Sequence, residues 1–330
     1  MVLVAVNYFV NSTANKGENA LFVALFFFLI GIVLVVKGGD IFVDAALWVA
    51  GATRIPKFII GATVVSLATT LPELLVSVFA AARGSADMAV GNAVGSVTCN
   101  AGMILAISII VSPITIRRRE IMGKGLLMVA AAYFLWSFSL DGALTAKDGV
   151  LMLLVLGIFV FLNIHSTKHM ARTGQTVVVN YRHCITNTAK FILGTAGIVL
   201  GAQMLVEHGS ALARLAGISE GIIGITMLAI GTSLPELVTT VSAVAKKEFS
   251  LSVGNIIGAN IIDLCLILPL CSLFSKSGIA VSGPALAFDF PVLLTILLLA
   301  IIPPVLTKRF YRFQGILMLL VYVGYLFLRI

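Results

Sequence analysis

Long apolar runs, separated by short polar stretches, occupy most of this 330-residue chain. They fall near 20–37, 58–83, 88–112, 122–140 and 148–165. After a polar, basic stretch at 166–187, five more follow near 188–207, 221–245, 250–274, 285–306 and 313–329. A helix needs ~20 predominantly apolar residues to cross a bilayer, so the pattern predicts an all-α membrane protein with ten transmembrane helices. Residues 1–19 hold an apolar start too short to span and then a polar patch, with no convincing cleavage site. They read as a tail.

Composition agrees with a membrane class. Sixty per cent of the residues are hydrophobic and 11% are charged, against ~25% charged in soluble domains. Mean hydropathy is +1.11. A net charge of +8 would suggest nucleic-acid binding in a soluble protein, but here the placement of the charges matters more. With the N-terminus outside, cytoplasmic loops would carry fifteen of the Lys and Arg residues and outer loops six, with Lys37 at the end of the first span. By the positive-inside rule this predicts both termini outside and the 166–187 linker cytoplasmic. The basic excess is therefore topological, and no nucleic-acid partner is expected. The four cysteines show no CxxC spacing and read as core thiols, not a zinc site or disulfide framework.

One stretch occurs twice. Gly231-Thr-Ser-Leu-Pro-Glu-Leu237 repeats Thr69-Thr-Leu-Pro-Glu-Leu74 at an offset of 163, making Glu73 and Glu236 equivalent. At the same offset, without gaps, Gly38 matches Gly201, Asp44 matches Glu207, Thr63 matches Thr226, and Gly91, Asn92 and Gly95 match Gly254, Asn255 and Gly258. Five helices per half is odd, so the second half must enter the membrane upside down. That is an inverted repeat, an architecture of secondary transporters that bind ions near the midplane. The expected division is 20–165 and 188–330, joined by the linker.

A carboxylate inside a membrane span is expensive and reads as functional. On a helix, Ser66, Thr69 or Thr70, Glu73 and Ser77 form one polar stripe. The second copy offers Thr232 or Ser233, Glu236 and Thr240, with Ala229 where Ser66 would be. Pro72 and Pro235 carry no N–H, so the carbonyls of Ala68 and Gly231 lose their helical partners. Free carbonyls beside carboxylates suit hard cations such as Ca²⁺ and Na⁺. The competing reading is a pair of proline kinks whose hydroxyls bond back to their own helix. On the next helix Asn92, Ser96 and Asn100 share a face, matched by Asn255, Ala259 and Asp263. Gly91 with Gly95, and Gly254 with Gly258, make GxxxG faces for close helix approach. Asp40, Asp44 and Glu207 read as solvated residues at the membrane edge, and the linker histidines as a solvated basic loop.

The paired Thr/Ser-Leu-Pro-Glu motifs, each followed by Gly-Asn-x-x-Gly-Ser/Ala, resemble the α-repeats of the cation/calcium exchanger superfamily, in particular its prokaryotic sodium/calcium exchangers. The resemblance covers nearly the whole chain. It implies four cation sites at mid-membrane and no cofactor. Glu73 and Glu236 would hold Ca²⁺ with the backbone carbonyls of Thr69 and Thr232. Na⁺ would use the same glutamates, Thr70, Ser96 and Ser233, and carbonyls near Ser66 and Ala229, with Asn100 and Asp263 completing the centre. The chain departs from the family where Ala68-Thr-Thr70 replaces Gly-Thr-Ser, and where Ala259 replaces the serine that mirrors Ser96.

Three carboxylates cannot sit ionised and empty at close range: two like charges ~6 Å apart repel by roughly 3 kcal/mol at an effective dielectric of 20. An unloaded site should resist crossing, while one filled by Ca²⁺ or by several Na⁺ should cross. Shared ligands make the loads mutually exclusive, which yields exchange. A proton-coupled or potassium-dependent calcium exchanger is the nearest rival. A channel would need polarity along a whole path, and an intramembrane enzyme would need a nucleophile–base set or a metal motif such as HExxH, absent here.

Overall fold

A computed structural model describes residues 16–112, 118–170, 181–217, 231–274 and 278–329. The described chain is nearly all helical. In order run α1 (Lys16–Thr53), α2 (Lys57–Thr69), α3 (Leu71–Ala82), α4 (Ala86–Val111), α5 (Arg118–Phe138) and α6 (Ala146–Met170). Then come α7 (Tyr181–Leu215), α8 (Leu234–Ala245), α9 (Phe249–Leu273), α10 (Ala285–Thr307) and α11 (Arg312–Arg329). Among the described residues eight of these are long and apolar enough to cross a membrane, and α2 with α3, bent by 47° at their junction, count as a ninth if the pair is one broken span. The tenth expected span, near 221–245, is described only from Gly231 onward.

Span limits read from hydropathy are too short for the first helix of each half. The apolar run ends at Lys37 because Asp40 and Asp44 interrupt it, yet α1 continues to Thr53. Its 38 residues make a rod about 57 Å long, well beyond the ~30 Å hydrocarbon core. The charges are tolerated because they have partners. Lys246 Nζ lies 2.6 Å from Asp44 Oδ1 and donates to the Asp40 carbonyl at 2.9 Å, while Ser242 Oγ donates to Asp40 Oδ1 at 2.8 Å. In the second half, α7 covers 181–215 where hydropathy marks 188–207.

Burial separates the core from the periphery. Of the best apolar window in each helix, 72% is buried in α4 and 83% in α9, against 22% in α1 and in α7. Helices α4 and α9 are the central rods, and α1 with α7 forms an outer pair.

Glycines set that outer packing. A Cβ on Gly31 would meet the Gly201 carbonyl oxygen at 3.0 Å, and one on Gly38 would meet the Gly194 oxygen at the same distance. The helices therefore run antiparallel in backbone contact. Adding 163 to Gly31 and Gly38 yields Gly194 and Gly201, so the two contacts exchange under the repeat offset.

The GxxxG faces are used unequally. Gly254 abuts the Phe58 carbonyl and Gly258 the Ala62 carbonyl, which seats α9 on α2. No described atom lies within 4 Å of where a Cβ would stand on Gly91 or Gly95, and both line a cavity of about 320 Å³ between α4, α10 and α11. A two-residue antiparallel ladder, Ala143 with Ala280 and Leu144 with Ile279, clips together the loops that follow α5 and α9.

Candidate cation site

Both copies of the motif break their helix at the same place. Thr70 has φ −84° and ψ 0°, and its counterpart Ser233 has φ −86° and ψ 4°. Each precedes a Leu-Pro pair that starts a new helix, where proline's missing N–H costs nothing. The glutamate falls in the first turn of that helix, Glu73 in α3 and Glu236 in α8. There the exposed N–H ends favour a negative side chain. Carbonyls at the end of the preceding helix lie beside the break, without the amides a continuous helix would supply.

The site residues gather in the protein interior. Glu73 is 1% exposed, and Glu236 and Asp263 are 0% exposed. Ser66, Thr69, Thr70, Ser96, Asn100 and Ser233 are buried as well, and Thr232 is half-buried. Ala229 lies outside the described residues. Glu73 interacts electrostatically with both Glu236 and Asp263. The halves meet directly where Thr70 Oγ1 donates to Glu236 Oε1 at 3.1 Å. Two hydroxyls follow the self-bonded alternative in part: Thr69 Oγ1 donates to the Ser66 carbonyl at 3.3 Å and Ser66 Oγ to the Thr63 carbonyl at 3.2 Å.

The unmatched oxygens tell more than the matched ones. Both carboxylate oxygens of Glu73, both of Asp263, Oε2 of Glu236, Oδ1 of Asn100 and the hydroxyls of Ser96 and Ser233 are buried and find no hydrogen-bond partner among the described residues. A buried polar group without a partner costs ≈ 1–3 kcal/mol, and more when charged. A fold that keeps so many together as mere packing would be strongly destabilised. Oxygen donors of this kind, carboxylate and neutral, are the ligand set of Ca²⁺ and Na⁺. Among the described residues no three His, Cys, Asp or Glu side chains converge closely enough to hold a metal ion. A cation here would draw on neutral oxygens as well as carboxylates.

Two features escaped the sequence reading. Asn100 and Asp263, equivalent under the repeat, each begin a π-helical turn, over Asn100–Leu105 and Asp263–Ile267. Such turns concentrate at functional sites and re-aim the side chains around them. Sequence places both residues on the polar face beside the glutamates, but not in a π turn, which has no sequence signature. The second feature is a pair of asparagine clamps. Asn92 Nδ2 donates to Ser77 Oγ at 2.9 Å and to the Glu73 carbonyl at 3.3 Å, tying α4 to α3. Asn255 Nδ2 donates to Thr239 Oγ1 at 3.1 Å, tying α9 to α8. These asparagines hold the glutamate-bearing helices in place.

Known proteins resemble this chain over nearly its whole length. The family described as "Sodium/calcium exchanger protein" matches residues 23–165 and again 186–330. The putative antiporter CaxA of Alkalimonas amylolytica is 31% identical over 315 residues, covering 93% of this chain and 98% of that protein. The sodium/calcium exchanger MaX1 of Methanosarcina acetivorans is 29% identical over 342 residues, covering 90% and 96%. A structure of the sodium-calcium exchanger NCX_Mj soaked with Na⁺ and Sr²⁺ superposes with a TM-score of 0.81 at 29% identity, covering 92% of this chain and 97% of that one. These relatives are exchangers and antiporters, not enzymes. With two helix breaks, two buried glutamates and family matches over both halves, the chain belongs to the sodium/calcium exchanger protein family.

Proposed function

We propose that the chain is an antiporter that exchanges Na⁺ for Ca²⁺ across the cell membrane by alternating access. The observation that carries this reading is the pair of equivalent helix breaks, each presenting a buried glutamate with an unpartnered carboxylate oxygen. Glu73 and Glu236 hold Ca²⁺ together with the carbonyls of Thr69 and Thr232. Na⁺ uses the same glutamates with Thr70, Ser96 and Ser233 and carbonyls at Ser66 and Ala229, while Asn100 and Asp263 complete the centre. Because the glutamates serve both ions, either load excludes the other, and a sodium gradient moves calcium. The hydrogen bond from Thr70 to Glu236 supports a site shared between the halves.

The architecture proposed with it is ten transmembrane helices in two inverted five-helix repeats, 20–165 and 188–330. Matching breaks at Thr70 and Ser233, matching π turns at Asn100 and Asp263, and glycine contacts that exchange under the offset support it. Both termini lie outside and the 166–187 linker in the cytoplasm, on the distribution of Lys and Arg. Ca²⁺ uptake into proteoliposomes containing the purified protein tests the exchange. An outward Na⁺ gradient should drive uptake. Uptake driven by a proton gradient and indifferent to Na⁺ would overturn Na⁺ coupling, and a requirement for K⁺ beside Na⁺ would identify the potassium-dependent variant.

A further inference from the structure

The two halves carry the same helix face twice, and only one copy is covered. On α8, Leu234, Val238, Ser242 and Lys246 recur every four residues along one face. Helix α1 lies against it. Gly39 receives the Val238 side chain, Ser242 bonds to Asp40, and Lys246 forms its ion pair with Asp44. At the repeat offset the same face of α3 is Leu71, Leu75, Phe79 and Arg83. Here Leu71 is 43% exposed, Leu75 54% and Phe79 60%. Ser242, the counterpart of Phe79, is only 7% exposed.

Exposed leucines and phenylalanines on a membrane helix need no partner beyond lipid. The charges discriminate. Arg83 is the counterpart of Lys246, and Glu207 on α7 is the counterpart of Asp44. The cation and the anion are conserved in kind across the two copies of this one chain, yet Arg83 and Glu207 are both exposed and form no ion pair with any described residue. The Lys246–Asp44 pair lies at the end of α8, whereas Arg83 follows the end of α3. Helices α3 and α8 come from oppositely directed halves, so the two pairs belong to opposite faces of the membrane. The glycine contacts between α1 and α7 exchange under the same offset, so the outer pair can present either of its members to the core in the same geometry.

We infer that Arg83 and Glu207 form the counterpart of the Lys246–Asp44 ion pair in the opposite access state, so that each state is latched by one pair and never by both. The inference rests on the proposed alternating-access cycle and deepens it by naming charged positioning residues remote from the cation ligands. In the state described here α1 is latched onto α8. In the other, α7 is latched onto α3, covering Leu75 and Phe79.

The test is crosslinking of the full-length protein in proteoliposomes, in a Cys184→Ser background because the other three cysteines are buried. One variant carries Asp44→Cys with Lys246→Cys, and the other Arg83→Cys with Glu207→Cys. A short bifunctional thiol reagent should link both pairs. Adding Lys246→Gln to the second variant should speed the 83–207 link roughly two- to five-fold, because removing one exposed ion pair favours the state that lacks it. Failure of the 83–207 link in ion-free, Na⁺ and Ca²⁺ buffers would overturn the inference, whether or not 44–246 links. A rate unchanged or lowered by Lys246→Gln would overturn it equally. The crosslink is read without transport, so a failure of Na⁺-driven Ca²⁺ uptake bears on the exchange reading alone.

Discussion

At the scale of single residues, the two glutamates are separable from the rest of the fold. Among the described residues neither carboxylate oxygen of Glu73 has a hydrogen-bond partner, and Glu236 accepts a hydrogen bond from Thr70. A buried charge without a partner destabilises the protein that contains it. Glu73→Gln and Glu236→Gln should therefore leave the ion-free protein folded and at least as resistant to heat as the parent. The same change removes a charged ligand from a divalent ion. Interactions with charged groups are worth ≈ 1.5–3 kcal/mol, so Ca²⁺ should bind roughly ten- to a hundred-fold more weakly. Calorimetric titration with Ca²⁺ beside thermal unfolding without it checks both halves of the expectation. A fall in ion-free stability with unchanged Ca²⁺ binding would make the glutamates structural.

At the scale of elements, glycine is informative where two backbones touch. A Cβ at Gly258 would stand 2.5 Å from both the Ala62 carbonyl oxygen and Ser66 Oγ, closer than real contacts allow. Backbone cannot yield as a flexible side chain can, so Gly258→Ala should separate α9 from α2 and lower stability by about 1–3 kcal/mol. Because Ser66 lies at the end of α2 that approaches the break, ion binding should weaken along with stability. Gly157, in α6, meets nothing within 4 Å, and Gly157→Ala should leave melting temperature and transport near the parent values. Melting curves of the two purified variants separate a packing glycine from an incidental one. Gly91 and Gly95 show why the motif alone does not suffice: they carry the same GxxxG as Gly254 and Gly258 but face a cavity.

At the scale of the whole molecule, the ion pairs follow the expected alternation of helix direction. Lys57 at the start of α2 binds Glu248 just before α9 at 2.6 Å, and Arg329 at the end of α11 binds Asp289 near the start of α10 at 3.0 Å. Each joins residues that an alternating topology puts on one face of the membrane. Which face is cytoplasmic rests on the Lys and Arg distribution, and a single labelling experiment addresses it. A cysteine introduced at Thr173 in the linker should react with an impermeant maleimide from the cytoplasmic side of inside-out vesicles and be protected in intact cells. Labelling from outside only would invert the orientation.

The sequence by itself determined what is written locally and twice. Pro72 and Pro235 break their helices wherever the rest of the chain lies, because the missing N–H is a property of the residue. Glu73 and Glu236 follow one residue later in both copies, and the offset of 163 makes Asn100 and Asp263 equivalent before any coordinate is known. Tertiary structure decided everything that depends on a neighbour. Charges at Asp40 and Asp44 end an apolar run but not α1, since Lys246 and Ser242 arrive from α8 to satisfy them. Thr70 reaches Glu236 across the two halves, a contact between residues 166 positions apart that no local pattern encodes. The choice between equivalent faces is also tertiary: Val238, Ser242 and Lys246 lie against α1, whereas their counterparts Leu75, Phe79 and Arg83 stay exposed, because burial depends on which helix stands alongside.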